Sequence, residues 1–114
     1  MPLTLERSGR IIQSNALIDT GADVNVMPYT LGLALGGDWL NQLVTPSLGG
    51  AFKEVETRAL LASIRLGELE PIPLAFVWAQ SDNVPLILGQ LNFFDAFNVC
   101  FFRGEGYFEV TPRR

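Results

Sequence analysis

The chain lacks histidine altogether, and it carries one cysteine, Cys100, and one lysine, Lys53. Without histidine and with a lone thiol, zinc sites built on His and Cys are excluded, and so are Ser-His and Cys-His nucleophilic pairs. A Ser-Lys dyad would have to use Lys53, which stands in a charged, exposed stretch beside Glu54 and Glu56. One cysteine forms no intrachain disulfide, which permits a reducing compartment. Cys100, in the apolar run Val99-Cys100-Phe101-Phe102, reads as a buried structural thiol. Positive charge is scarce too. Lys and Arg total 8 against 12 Asp and Glu, and the one basic pair is Arg113-Arg114, so a nucleic-acid partner is not expected. No apolar run reaches the roughly 20 residues that span a bilayer, and no signal peptide is expected. The expectation is a soluble domain without membrane contact, the cytoplasm being the favoured location.

What remains for acid-base chemistry, if the chain is an enzyme without a cofactor, is carboxylates. With 114 residues, 48% of them hydrophobic and 18% charged, it is large enough for one core and too short for two, so residues 1–114 form a single domain. Eleven Gly and seven Pro interrupt helical patterns and favour strands and turns.

Residues 3–6 alternate apolar and polar, Arg7-Ser8-Gly9-Arg10 supplies a turn, and a second strand is expected from Ile11 through to Ile18. A short strand follows at residues 24–27. Pro28 suits the first turn of a helix over residues 28–35, which Gly36-Gly37 would end, although Gly32 inside it costs helix propensity. Residues 38–44 have no clear period, and Trp39 reads as a core or cleft-wall aromatic. Residues 45–52 hold the glycine pair Gly49-Gly50 in what otherwise reads as a hairpin. A long strand then starts polar at Lys53 and becomes apolar on both faces by Leu66, as a hairpin projecting from a sheet would. Residues 73–78 read as a buried strand, 84–89 as an apolar run ending in glycine, and 90–97 as a short helix. Residues 98–102 and 107–111 read as a closing hairpin. The halves share a faint repeat, Leu17-Ile18-Asp19-Thr20-Gly21 and Leu86-Ile87-Leu88-Gly89.

Within this order one stretch stands out. Ala16-Leu17-Ile18 reads as a buried strand and ends abruptly in Asp19-Thr20-Gly21-Ala22-Asp23. A lone buried carboxylate takes up a proton unless hydrogen bonds satisfy it, so Asp19 is either held or used. Taken alone, the tripeptide reads as an ordinary Asx-type turn closing a strand.

The whole order resembles the retropepsin-like, single-domain aspartic proteases, with the cellular and bacterial branch the nearer. The resemblance rests on the Asp-Thr-Gly-Ala turn, the glycine-rich hairpin at Leu48-Gly49-Gly50-Ala51, the long returning strand, and the Leu86-Ile87-Leu88-Gly89 run with its following helix. It implies an all-β fold, a closed barrel of acid-protease type with one or two short helices and one lobe per chain. It also implies no cofactor and no metal. The signature occurs once, so a second Asp19 would come from another copy, making a symmetric homodimer with its site on the two-fold axis. Two carboxylates about 4 Å apart repel by about 4 kcal/mol at an effective dielectric of about 20, so one would keep a proton. Asp19, Thr20 and Gly21 would form the catalytic turn, Thr20 bonding across the axis. Ala22, Asp23, Leu48, Gly49, Gly50, Ala51 and Ile87 would bind an extended polypeptide substrate, with Gly49 and Gly50 at a mobile tip. Ala22 cannot donate a hydrogen bond to the carboxylate, which suggests an optimum near about pH 5–6. Two features depart from the viral pattern. Gln90 stands where viral enzymes place the Arg that pairs with the residue at Asp23, leaving Arg7 or Arg10 as candidate partners. The chain also closes in a hairpin where viral chains end in a single strand. A catalytically silent module of the same fold, serving dimerisation or peptide binding, is the competing reading.

Overall fold

The computed structural model describes residues 1–42, 55–89, 97–102 and 107–112, the last two stretches as backbone alone. Strand β1 (Pro2–Arg7) turns back into β2 (Arg10–Asn15) through Ser8 and Gly9, both with positive φ (49° and 81°). A two-residue turn of this kind matches the twist of a hairpin, and Gly9 accepts it at no steric cost. Next come β3 (Leu17–Ile18), β4 (Asn25–Met27), α1 (Tyr29–Ala34) and a 3-10 turn (Trp39–Asn41). They are followed by β5 (Thr57–Arg65), β6 (Ile72–Ala79), β7 (Ile87–Leu88), β8 (Phe97–Phe102) and β9 (Tyr107–Pro112). Among these described residues the fold is mostly β, as the sequence implies.

Seven strands form one sheet in the order β2-β1-β5-β6-β4-β7-β3. Its two edge strands, β2 and β3, are separated in the chain by Ala16 alone. One residue spans only about 3.5 Å, so the sheet must curl until its ends meet. At the junction Ala16 and Met1 exchange two hydrogen bonds of 2.8 Å, one of them from the terminal ammonium. The result is a half-barrel around one core. The second arm of the opening hairpin is therefore not one strand from Ile11 to Ile18. It breaks at Ala16, because β1 can serve β2 on one side and β5 on the other but cannot also serve β3, whose partner is β7.

The core is lined by alternate residues of each strand. Leu3 and Leu5 of β1, Leu60, Ala62 and Ile64 of β5, and Leu74, Phe76 and Trp78 of β6 are buried with Met27, Leu35 and Leu88. Each fully buried aliphatic side chain contributes about 1.5–3 kcal/mol. Strand β5 was expected to be apolar on both faces and to finish in the core. From Leu60 on, only Leu60, Ala62 and Ile64 do so, and Leu61 is 69% exposed. β6 likewise alternates rather than being buried throughout.

The helix expected over residues 28–35 forms as α1, with Pro28 extended at its N-cap. Its C-terminus is a Schellman motif. Gly36 takes φ +83°, its N–H donates to Leu33 O at 2.9 Å, and Gly37 N–H donates to Gly32 O at 2.9 Å. Gly32 has a packing reason that its sequence context conceals: a Cβ there would lie 2.1 Å from Trp78 Nε1. Trp78 is completely buried, donates to Tyr29 O at 3.1 Å, stacks on Tyr29 at 5.8 Å and meets Trp39 edge-on at 4.8 Å. Trp39 is thus a core aromatic, with the Arg58 guanidinium 4.6 Å above its ring.

The N-terminus of α1 is capped from outside. Asp82, on the β6–β7 connection, accepts from Thr30 N–H at 2.8 Å and from the Thr30 hydroxyl. Those bonds, the hydroxyl first, hold the Asp82 carboxyl below its ordinary 3.8. A carboxyl lowered on folding stabilises above its unfolded pKa and loses that contribution as pH falls through the folded one. The melting temperature of Asp82→Ala should therefore lie below that of the parent at neutral pH. The gap should close as pH drops below 3.8. A gap that widened in acid would contradict this role.

The hairpin expected at the end of the sequence is present as β8–β9, a separate two-stranded antiparallel sheet closed by the pair Phe102↔Tyr107. Phe97, expected at the end of a helix, begins β8 instead. The rest of that helix, residues 90–96, and the glycine-rich hairpin with Leu48, Gly49, Gly50 and Ala51 lie outside the described residues. No described helix is long and apolar enough to cross a membrane.

Candidate active site

The two apolar runs that the sequence shows as a faint repeat are joined in space. β3 and β7 pair in parallel, Leu17↔Ile87 and Ile18↔Leu88. Leu17 N–H donates to Leu86 O at 2.8 Å and Asp19 N–H to Leu88 O at 3.0 Å. Asp19 therefore leaves the sheet with its backbone fixed by the last residue of the neighbouring run.

Beyond Asp19 the chain turns at once. Gly21 N–H donates to Asp19 Oδ1 at 2.9 Å and Ala22 N–H to Asp19 O at 3.2 Å. The Asx-type turn and the signature turn are thus the same object. A Cβ at Gly21 would approach Asp19 Oδ1 to 3.3 Å, so a side chain there would press on the carboxylate. The strand leading to it is less buried than its sequence suggests. Ala16 is buried and Ile18 half-buried, but Leu17 is 53% exposed. Asp19 is half-buried, while Thr20, Gly21 and Asp23 are exposed. Among the described residues β3 has one neighbour in the sheet, so the turn follows an edge strand.

Of the residues expected to bind substrate, Ala22 and Ile87 come together. Ile87 belongs to a second, smaller apolar cluster with Val26, Ala79 and Val84, against which Ala22, Val24 and Val55 pack half-buried. Ile87 is only 6% exposed there, so it backs this surface more than it presents it. Asp23 stands apart from the arginines suggested for it. Arg7 Nη1 donates to Leu35 O at 3.3 Å, and the Arg10 side chain lies over Gly36 at the end of α1. Among the described residues Asp23 has no ion pair, and the one salt bridge joins Arg65 to Glu6 at 3.2 Å. Two surface grooves of about 410 and 360 Å³ lie along β1–β2 and beside the Ser8-Gly9 turn, and neither includes Asp19.

Sequence reasoning missed the polar residue behind the turn. Asn25, in Val24-Asn25-Val26, is 1% exposed. Its Nδ2 donates to Ala75 O at 3.0 Å and its Oδ1 accepts from Gly89 N–H at 2.9 Å. Gly89 itself is wedged against the turn: a Cβ would lie 2.5 Å from Val24 O and 2.7 Å from Ala22 O. An asparagine between valines in a short apolar strand was the available signal, because a buried amide must find partners.

Among the described residues, a curled sheet thus presents one Asp-Thr-Gly turn at the end of its paired apolar runs. Comparison with solved structures gives the particular fold. The chain is similar to the retroviral EIAV protease complexed with the inhibitor HBY-793, at 23% identity over 78% of each chain and a TM-score of 0.58. It is also similar to a retropepsin-like aspartic protease from Rickettsia conorii, at 15% identity over 88% of this chain and 74% of that one, with a TM-score of 0.63. The chain has the retropepsin-like fold. No family model matches the sequence, and no curated protein matches it.

Proposed function

We propose that the chain is half of a homodimeric aspartic endopeptidase, with one Asp19 from each copy holding the water that attacks the peptide bond. The observation that carries this is the placement of Asp19. It is a half-buried carboxylate on a tight turn at an edge strand, in a chain whose fold is shared with proteases of this type. The signature turn occurs once in the chain, so a second turn has to come from another copy. A symmetric pair of identical surfaces meeting on a two-fold axis supplies it.

In this reading one Asp19 takes a proton from the water as general base. Its partner donates the shared proton to the substrate carbonyl oxygen; the first Asp19 then passes the proton it took from water to the leaving amine, while the partner regains one from the collapsing gem-diol. Thr20 bonds across the axis and Gly21 puts no side chain against the carboxylate. The apolar surface that includes Ala22 and Val24 accepts side chains of an extended, largely apolar polypeptide. Asp23, exposed at the rim, anchors its main chain. Leu48, Gly49, Gly50 and Ala51 cover the bound segment, which pairs by strand addition.

Cleavage of an unfolded protein substrate, blocked by a pepstatin-type inhibitor, tests the reading. Specific activity should fall as the protein is diluted through the dissociation range of the dimer. Activity per chain that stayed constant on dilution in step with a monomeric mass would refute the shared site. A stable dimer without cleavage would instead favour the silent module.

A further inference from the structure

One peptide group links the buried asparagine to the proposed catalytic turn. The Leu88 carbonyl and the Gly89 N–H belong to the same planar trans unit, so they point to opposite sides. On one side the carbonyl accepts from Asp19 N–H at 3.0 Å. On the other the N–H donates to Asn25 Oδ1 at 2.9 Å. The Asn25 amide is in turn anchored by its donation to Ala75 O of β6 at 3.0 Å. The path therefore runs from the middle of the sheet, through one side-chain amide and one peptide plane, to the backbone of Asp19.

We infer that Asn25 is a positioning residue for Asp19, acting through the Leu88–Gly89 peptide. Three facts favour this over a general packing role. Asn25 is one of two buried polar residues among those described, the other being Thr57. Its two hydrogen bonds reach two different neighbouring strands, and one of them ends on the unit that holds Asp19. Gly89 also packs directly against the turn, since a Cβ there would lie 2.5 Å from Val24 O and 2.7 Å from Ala22 O, so a tilt of its peptide is passed on to the turn. With the Asn25 carbonyl removed, the Gly89 N–H loses its acceptor in a buried setting and the peptide plane is free to tilt. The turn then moves with it. Hydrogen bonds in series also polarise one another, so losing the first weakens the second.

The inference concerns positioning for the reaction proposed above and rests on that reading, but its test does not require activity. Amide hydrogen exchange is measured residue by residue in the parent, Asn25→Ala and Asn25→Asp. In Asn25→Ala the Asp19 amide should exchange about tenfold faster relative to the amides of Leu5 and Ile12 in the β1–β2 hairpin. Normalising to the hairpin separates loss of the local link from loss of global stability. Asn25→Asp provides the conservative control. A protonated carboxyl can accept from Gly89 N–H and donate to Ala75 O as the amide does, whereas an ionised one cannot donate. Asp19 exchange in Asn25→Asp, corrected for intrinsic pH dependence, should therefore match the parent in acid and quicken once the carboxyl ionises. Where the protein cleaves peptides, kcat should fall in Asn25→Ala with KM little changed. Asp19 exchange that followed the hairpin amides in both variants would overturn the inference. Loss of peptide cleavage in the parent with the exchange pattern intact would overturn the protease reading alone.

Discussion

Replacing Asp19 with Asn should abolish peptide hydrolysis while leaving the fold intact. The Asn25–Gly89–Leu88 path reaches the backbone of residue 19, not its side chain, and the Asx-type turn needs only an oxygen where Oδ1 sits, which Asn supplies. What Asn cannot do is take a proton from water or share one with its counterpart. Removing a positioned acid-base group costs about 10²–10⁴ in rate, and here the same substitution removes both members of the pair, so the loss should lie at or beyond the top of that range. The check is a cleavage assay on an unfolded substrate beside circular dichroism and a melting curve. Equal cleavage by parent and variant would place the chemistry elsewhere. A melting temperature that collapsed with the activity would mean that Asp19 holds the fold and its catalytic role is untested by this change.

The largest stability effect should come from a substitution that usually helps. Exchanging Gly for Ala inside a helix ordinarily stabilises by about 0.5–1 kcal/mol. At Gly32 the added methyl would meet three atoms of the Trp78 ring at 2.1, 2.4 and 2.7 Å. The ring has no room to retreat, being fully buried between Tyr29 and Trp39 and tied to Tyr29 O. Overpacking a core costs about 1–3 kcal/mol, and moving the ring also forfeits about 1 kcal/mol of hydrogen bond. Gly32→Ala should therefore destabilise by about 3 kcal/mol, opposite in sign to helix propensity. Urea unfolding at unchanged m-value would show it. A neutral or stabilised variant would mean that α1 and β6 approach less closely than described.

Much of this architecture was legible in the sequence for local reasons. Alternation in residues 3–6, the Ser8-Gly9 turn, the Gly36-Gly37 helix stop and the final hairpin each depend on neighbours within a few positions. The weak likeness between the Asp19 run and the Leu86-Ile87-Leu88-Gly89 run also proved spatial, since those segments lie side by side. What was not legible depended on distant parts of the chain. The break at Ala16 follows from the closure of a sheet whose order no local pattern reveals. Gly32 looked like a weak helix residue because its reason, Trp78, lies 46 positions away on β6. Leu17 and Leu61 read as interior by composition, yet each falls on a face that a single chain leaves open. Within the proposed site, the motif alone singles out Asp19, Thr20 and Gly21, whereas Asn25 became meaningful only once Ala75 and Gly89 were seen on either side of it.

The central claim is that two chains each supply one carboxylate to a single site, and subunit mixing tests it most directly. Parent and Asp19→Asn chains are combined at fixed total concentration, allowed to exchange partners, and assayed across a range of proportions. If a site needs both carboxylates, activity follows the square of the parent fraction, and an equal mixture retains about one quarter of the all-parent activity. A straight line, with about one half retained in the equal mixture, would mean that each chain carries a complete site and would contradict the account.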